Sequence, residues 1–190
     1  MGTFRTSRTN IRGTQVSRFA NPVDPGGGFD GATLVTQYIQ KINGEIITSI
    51  LLDIQDLLVS GTVKDIIGED GVAAAYITQI KTAKNGVIYK AEMSCVEAPA
   101  GSNTTADIDL VTNSASLAED ATYDGSGNAV VLIAAGGAYT KGMQRVSAAG
   151  TDFSATNNDY LYLANGSGAN SGGTYTAGKF IIKLYGSGWQ

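Results

Sequence analysis

The chain contains no histidine and a single cysteine, Cys95. The first absence removes the commonest general base and the usual partner of a nucleophilic serine. Together the two exclude zinc sites built from His and Cys. A lone cysteine cannot close a disulfide within the chain, so stability must come from packing or assembly. Charge is also scarce: Asp, Glu, Lys and Arg make up 16% of the 190 residues. No uninterrupted apolar run approaches the roughly 20 residues a membrane helix needs. The richest stretch, IITSILLDIQDLLV, is broken by Asp53, Gln55 and Asp56. No membrane partner is therefore expected. A secretory signal would need an apolar run of about 7–15 residues after its charges, and none follows the N-terminal arginines. Gly13, Pro22, Pro25 and Gly26–Gly28 likewise interrupt the long amphipathic helix of an organellar presequence.

What is present is 43% hydrophobic residues, enough for a core in one large domain with an added arm. The charges that do occur are unevenly placed. Residues 1–23 carry four arginines and no acid, whereas the remainder holds nine basic against seventeen acidic residues, a balance of −8. Residues 1–32 read as an extended basic arm with a Pro/Gly hinge at about 25–31, since proline forbids continued helix and glycine imposes no direction. Residues 33–190 read as one β-rich domain.

Within that domain, Leu34, Tyr38 and Ile42 have helical spacing, but the Ile/Val/Thr content of GEIITSILLDIQDLLVSGTVKDIIG (44–68) favours strands. A turn is expected at Asn43-Gly44, and one helical turn at VKDIIG. ILLDIQDLL also has helical spacing, through Ile50, Ile54 and Leu57. The runs before and after Asn85-Gly86 suggest a hairpin. In the second run Val87, Tyr89, Ala91, Met93 and Cys95 should share an apolar face, which makes Cys95 an inert core residue. Ile88, Lys90, Glu92 and Ser94 should face water. Short strands ADIDLVT, NAVVLIAA, KGMQRVSA, DYLYLA and KFIIKLYG follow, with NGSGANSGGTYTAG among the spacers. In the last strand, Phe180, Ile182 and Leu184 should enter the core. The pattern predicts a mainly all-β fold, an antiparallel β-sandwich or jelly-roll-like domain.

The chemistry-bearing motifs are thin. TAGKF lacks the upstream glycine and the following Ser/Thr of a P-loop, and GGGFDG follows no strand. Asp107 and Asp109, two apart on an expected strand, could act as a carboxylate pair of the glycosidase type. So could Glu69 with Asp70, but acids at turns and on wet faces are ordinary. DGSGN places Asp124, Ser126 and Asn128 at alternating positions, as in calcium loops. Ala129 and Ala135 then occupy the places of the glycine and glutamate an EF-hand needs, which favours a plain turn. No catalytic residue, metal or cofactor is expected, and the chain is read as a non-enzyme.

The arginines Arg5, Arg8, Arg12 and Arg18 can bind phosphate or carboxylate. Their density is low for a nucleic-acid arm and no aromatic-interleaved basic surface accompanies them, so nucleic acid is disfavoured. Ordering a free arm costs about 1–2 kcal/mol per residue, and four charge-assisted contacts return only about 1.5–3 kcal/mol each. Phe4, Ile11, Val16 and Phe19 must therefore bury apolar area in the same docked state. About 28 extended residues reach roughly 90 Å, far enough to cross a subunit boundary.

Several stretches are similar to small virion structural proteins of tailed bacteriophages, above all capsid decoration (cement) proteins. They are GTVKDIIGEDG, TAKNGVIYKAEMSCVEAP, ADIDLV, VLIAAGG, DYLYLANG and TYTAGKFIIKLYG, which together span about 61–186. The resemblance implies a β-rich domain on the capsid surface of the virion. It also implies the major capsid protein as partner, self-association as a homo-oligomer, most often a trimer, and in some members a terminus that clamps capsid subunits. No binding residue carries over from it. A tail or head fibre module shares this β texture, and would engage host-surface glycan through aromatics such as Tyr160, Tyr162, Tyr175 and Trp189.

Overall fold

β-branched and aromatic runs alternate with Gly- and Asn-rich turns, and among the described residues of the computed structural model these runs form twelve strands. The structure describes residues 8–11, 14–21, 29, 35–134, 136–166 and 171–188. The strands make two antiparallel sheets that pack as a β-sandwich. The larger runs in the order β1 (Arg8–Ile11), β2 (Thr14–Asn21), β3 (Val35–Ile42), β4 (Glu45–Asp53), β12 (Gly172–Ser187), β7 (Val87–Gly101) and β10 (Gln144–Val146). β5 (Leu58–Ser60) pairs with the start of β12. The smaller sheet runs β6 (Thr78–Gln79), β11 (Tyr160–Asn165), β8 (Ile108–Asn113) and β9 (Ala129–Ile133). A single helical turn, α1 (Thr82–Asn85), leads from the small sheet back to the large one.

The main core lies between the sheets. Ile50 and Leu52 of β4, Met93 and Cys95 of β7, and Phe180, Ile182 and Leu184 of β12 meet Ile108, Leu110, Leu132, Leu161 and Leu163 of the small sheet. Alternation along β12 selects these residues, as the KFIIKLYG pattern predicts. Phe29, within the expected hinge, is 2% exposed and belongs to this core. A second cluster of Ile66, Ala75, Val111, Leu117, Tyr123, Tyr162 and Ala164 covers the far side of the small sheet.

Asn43-Gly44 forms the expected turn, with φ of 50° and 84°, and joins β3 to β4 as a two-residue hairpin. Glu45–Asp53 is strand, as its β-branched content favours, and Val35–Ile42, where Tyr38 and Ile42 have helical spacing, is strand because it pairs along its length with β4. The second Asn-Gly is a correction. Asn85 ends α1, and Gly86, at φ 72°, only terminates that turn. The flanking strands part: β6 joins β11 in the small sheet, and β7 joins β12 and β10 in the large one. Asn85 is drawn into the helical turn because its side chain is occupied. Its Oδ1 accepts from the Lys81 amide at 2.8 Å, and its Nδ2 donates to Thr48 Oγ1 at 2.9 Å.

Three further expectations change. Tyr185 pairs with Lys90 but Gly186 pairs with Ile88, so Tyr89 is an extra residue in the ladder. This bulge reverses the faces of the first residues of β7: Ile88 is buried at 2%, while Val87 and Tyr89 are 57% and 49% exposed. VKDIIG is not helical. Ile66 bridges to Ala164 and Asp65 to Thr122, which ties the segment to β11 and to the loop after β8. The second half of the spacer NGSGANSGGTYTAG is strand, since β12 starts at Gly172 and carries Tyr175 into the core.

Candidate functional site

The basic N-terminal segment is described only in part. Arg8 and Ile11 lie in β1, and Val16, Arg18 and Phe19 lie in β2. β2 runs antiparallel to β3, with Arg18 opposite Gln40 and Phe19 opposite Ile39. This backbone ladder joins the described part of the segment to the edge of the large sheet. Phe4, Arg5, Arg12 and the Pro/Gly residues 22–28 lie outside the described residues, as does Trp189.

The aromatics expected on a glycan platform divide. Tyr162 and Tyr175 are both fully buried. The Tyr162 hydroxyl donates to Ala115 O at 2.8 Å and accepts from the Leu117 amide at 2.9 Å. Tyr175 donates to Thr105 O at 2.8 Å. Burial pushes the Tyr162 phenol up to about 12. These two are corrected from surface to core, because the second cluster covers the outer face of β11 over Tyr162 and the main core receives Tyr175. Tyr160 stays partly exposed and packs against Tyr76, ring centroids 4.6 Å apart.

The acidic candidates occupy turns and strand starts. A side chain at Gly166 would meet Asp107 Oδ1 at 2.7 Å and Asp109 Oδ1 at 3.0 Å, so both carboxylates crowd the start of the loop after β11. Asp124 pairs with Lys64 at 2.5 Å. The Ser126 carbonyl accepts from Asn113 Nδ2 at 2.7 Å, and Asn128's amide donates to Ser114 Oγ at 2.9 Å. DGSGN is thus a turn held to β8 by Asn113. Among the described residues no group of three or more acidic or Cys side chains could hold a metal ion. Cys95 is buried, and its Sγ donates to Glu97 O at 3.3 Å. Burial raises its thiol pKa, with the Glu97 charge adding to the effect.

Two surface features stand out. The first is the open face of the large sheet, where Glu92 collects three donors. Lys90 Nζ lies 2.6 Å from it, Tyr185 Oη 2.8 Å and Gln144 Nε2 3.2 Å. Burial favours the protonated Glu92, but the hydrogen bonds from Lys90 and Tyr185 and the charges of Lys90 and Lys183 outweigh it, so the carboxyl sits below its ordinary value. Lys90 also lies 4.7 Å over the Tyr185 ring.

The second is a small pocket, open to solvent, at the edge of the sandwich. Gln37 of β3, Tyr76, Thr78 and Gln79 at β6, and Lys81, Lys84 and Asn85 around α1 line it. Its walls are fixed. Thr82 donates through its amide, at 3.1 Å, and through its hydroxyl to Asn157 Oδ1. Gln79 Nε2 donates to Asn158 O at 2.8 Å. Asn85 is tied to both Lys81 and Thr48, as described above. Among the described residues no acid lines the cavity, and neither Lys81 nor Lys84 forms an ion pair. Motif and spacing do not single these residues out, although the sequence holds a signal. Residues 71–91 contain three lysines and no acid, in a chain of net charge −4.

Compared with known proteins, the chain matches no family model, no curated protein and no solved structure.

Proposed function

We propose that this chain is a non-enzymatic virion structural protein, a capsid decoration protein that binds the phage head through its β domain and its basic N-terminal segment. The observation that carries the reading is the position of that segment. Strands β1 and β2 are the outermost on one side of the large sheet, so Arg8 and Arg18 belong to a sheet edge of an otherwise acidic chain. A sheet edge offers unpaired backbone groups to a neighbouring chain, and arginines add forked contacts to carboxylates. The open face beside it mixes apolar Tyr38, Leu51 and Val146, each 39–48% exposed, with the Glu92 network. Such a surface suits self-association, and a trimer on the capsid lattice is the arrangement proposed.

The test is immunogold labelling of the particles that carry the chain, paired with co-sedimentation of purified protein and heads stripped of it. Decoration predicts label over the head and saturable, stoichiometric binding. A variant with Arg5, Arg8, Arg12 and Arg18 changed to Gln should bind about tenfold more weakly or worse, and wild-type binding should fall as salt rises. Label confined to tail tips would replace this reading with a fibre module.

A further inference from the structure

We propose that the cavity between β3, β6 and α1 is a binding site for a carboxylated sugar, a uronic-acid-type unit of an acidic glycan. The inference does not rest on the virion reading. It starts from the two lysines. Lys81 is the extended residue that leads into α1, and Lys84 lies within α1. Both are exposed, both line the cavity, and neither has an acidic partner among the described residues. Two adjacent like charges repel, and a bound carboxylate would relieve that repulsion while accepting hydrogen bonds from both amines.

The remaining wall selects what carries the carboxylate. Gln79, with Gln37 and Thr78 deeper in the wall, supplies amide and hydroxyl groups, and Tyr76 supplies a ring whose orientation is set by its packing on Tyr160. Hydroxyl-rich rings are recognised by this combination: amides for the hydroxyls, an aromatic surface for the C–H face. An acidic peptide fits less well. Its apolar side chains would find only Tyr76, and the adjacent strand β6 is two residues long, too short to add a strand to. A free phosphate would use the lysines and leave the aromatic and amide wall without a role.

The walls are also held in place before any ligand arrives. The Thr82–Asn157, Lys81–Asn85, Asn85–Thr48 and Gln79–Asn158 hydrogen bonds tie α1 to β4 and to the turn before β11. Little ordering cost then falls on binding.

The probe is trigalacturonic acid, titrated into the full chain while backbone amide NMR shifts are followed. Saturable shifts at Gln79, Lys81 and Lys84 are expected. Fully methyl-esterified trigalacturonate keeps the rings but not the charge. It should bind about tenfold more weakly or worse, as expected when one charge-assisted hydrogen bond is removed. The double variant Lys81→Gln/Lys84→Gln should show the same weakening with an unchanged melting temperature, because both side chains are exposed. Lys179→Gln, on the large sheet, should bind as wild type. Equal affinity for acid and ester, no saturable shift at any concentration, shifts only outside the cavity, or tighter binding of inorganic phosphate or hexaglutamate would each overturn the proposal.

Discussion

The two sheets of the sandwich are covered differently. Along β11, Leu161 and Leu163 face the main core while Tyr162 and Ala164 face the second cluster, and all four are inaccessible. Along β12, Phe180, Ile182 and Leu184 are inaccessible, but Ile181, Lys183 and Tyr185 between them are not. A strand covered on both faces lies beneath loops whose backbone groups must find partners away from water. In the small sheet those partners are Tyr162, Asn113 and Asn165. Asn113, fully buried, donates to Tyr123 O at 2.6 Å and Ser126 O at 2.7 Å and accepts from the Ala115 amide at 2.7 Å. Asn165 donates to Ser60 O and Thr62 O at 3.0 and 2.8 Å. The large sheet instead has a face whose residues can be chosen for interaction, because the fold does not need it covered.

The sharpest way to break this comparison is to truncate neighbours in each strand and measure unfolding by denaturant. Tyr162→Ala and Leu163→Ala, adjacent in β11, should both be costly, at about 3–5 and 2–5 kcal/mol. In β12 only one of two such residues should matter: Leu184→Ala about 2–5 kcal/mol, Ile181→Ala under about 1 kcal/mol. Equal losses at Ile181 and Leu184 would mean that the outer face of the large sheet is also covered.

A smaller effect is expected from the polar fastening. Asn113→Ala leaves the buried Tyr123 carbonyl unpaired and releases that of Ser126, and should cost about 1–3 kcal/mol. Asn113→Asp retains an acceptor for the Ala115 amide but supplies no donor, so it should not restore stability at neutral pH. Full recovery in Asn113→Asp would show that the loop is held by something other than these two bonds.

The smallest effect separates the sheets by pH. Asp159, 3% exposed just before β11, has its pKa raised by burial to about 6. Glu119, in the covering loop, is raised to about 7, first by burial and then by the hydrogen bond and charge of Asp120, with the Gly71 amide opposing. A carboxyl whose folded pKa is raised resists ionisation in the native state. Its favourable contribution is full below the unfolded pKa, near 4, and is lost as pH rises through about 6 to 7. Asp159→Asn should therefore stabilise the protein at about pH 8, by on the order of 1 kcal/mol, and have little effect near pH 4. Thermal melts at both pH values check it, and a stabilisation equal at both would remove burial of the charge as the cause.

The Asn-Gly pairs show how far local sequence reaches. Asn43-Gly44 stands between runs that pair with each other, and the hairpin follows from the dipeptide. Asn85-Gly86 carries the same local preference, yet Asn85 is taken into a helical turn by Thr48 from another strand. Nothing near Asn85 in the chain signals that partner. Alternation misassigns the start of β7 for a related reason: it is a local pattern, but the bulge at Tyr89 depends on the register with β12. The candidate cavity is illegible in the same way, since its walls come from β3, β6 and α1 and meet only when the sheets close.

Local patterning by itself determined an all-β chain, the inward set Phe180, Ile182 and Leu184, and the burial of Cys95. Each follows from the two-residue period of a strand and the hydrophobic effect, both of which act on neighbours in sequence. The absence of histidine and the basic N-terminal segment are equally plain in the chain. Tertiary structure alone decided that β11 is covered on both faces, that Tyr162 and Tyr175 are core residues, and that Lys81 and Lys84 stand over a polar cavity. These outcomes depend on which surfaces meet, and such meetings are fixed by the pairing of strands far apart in the chain.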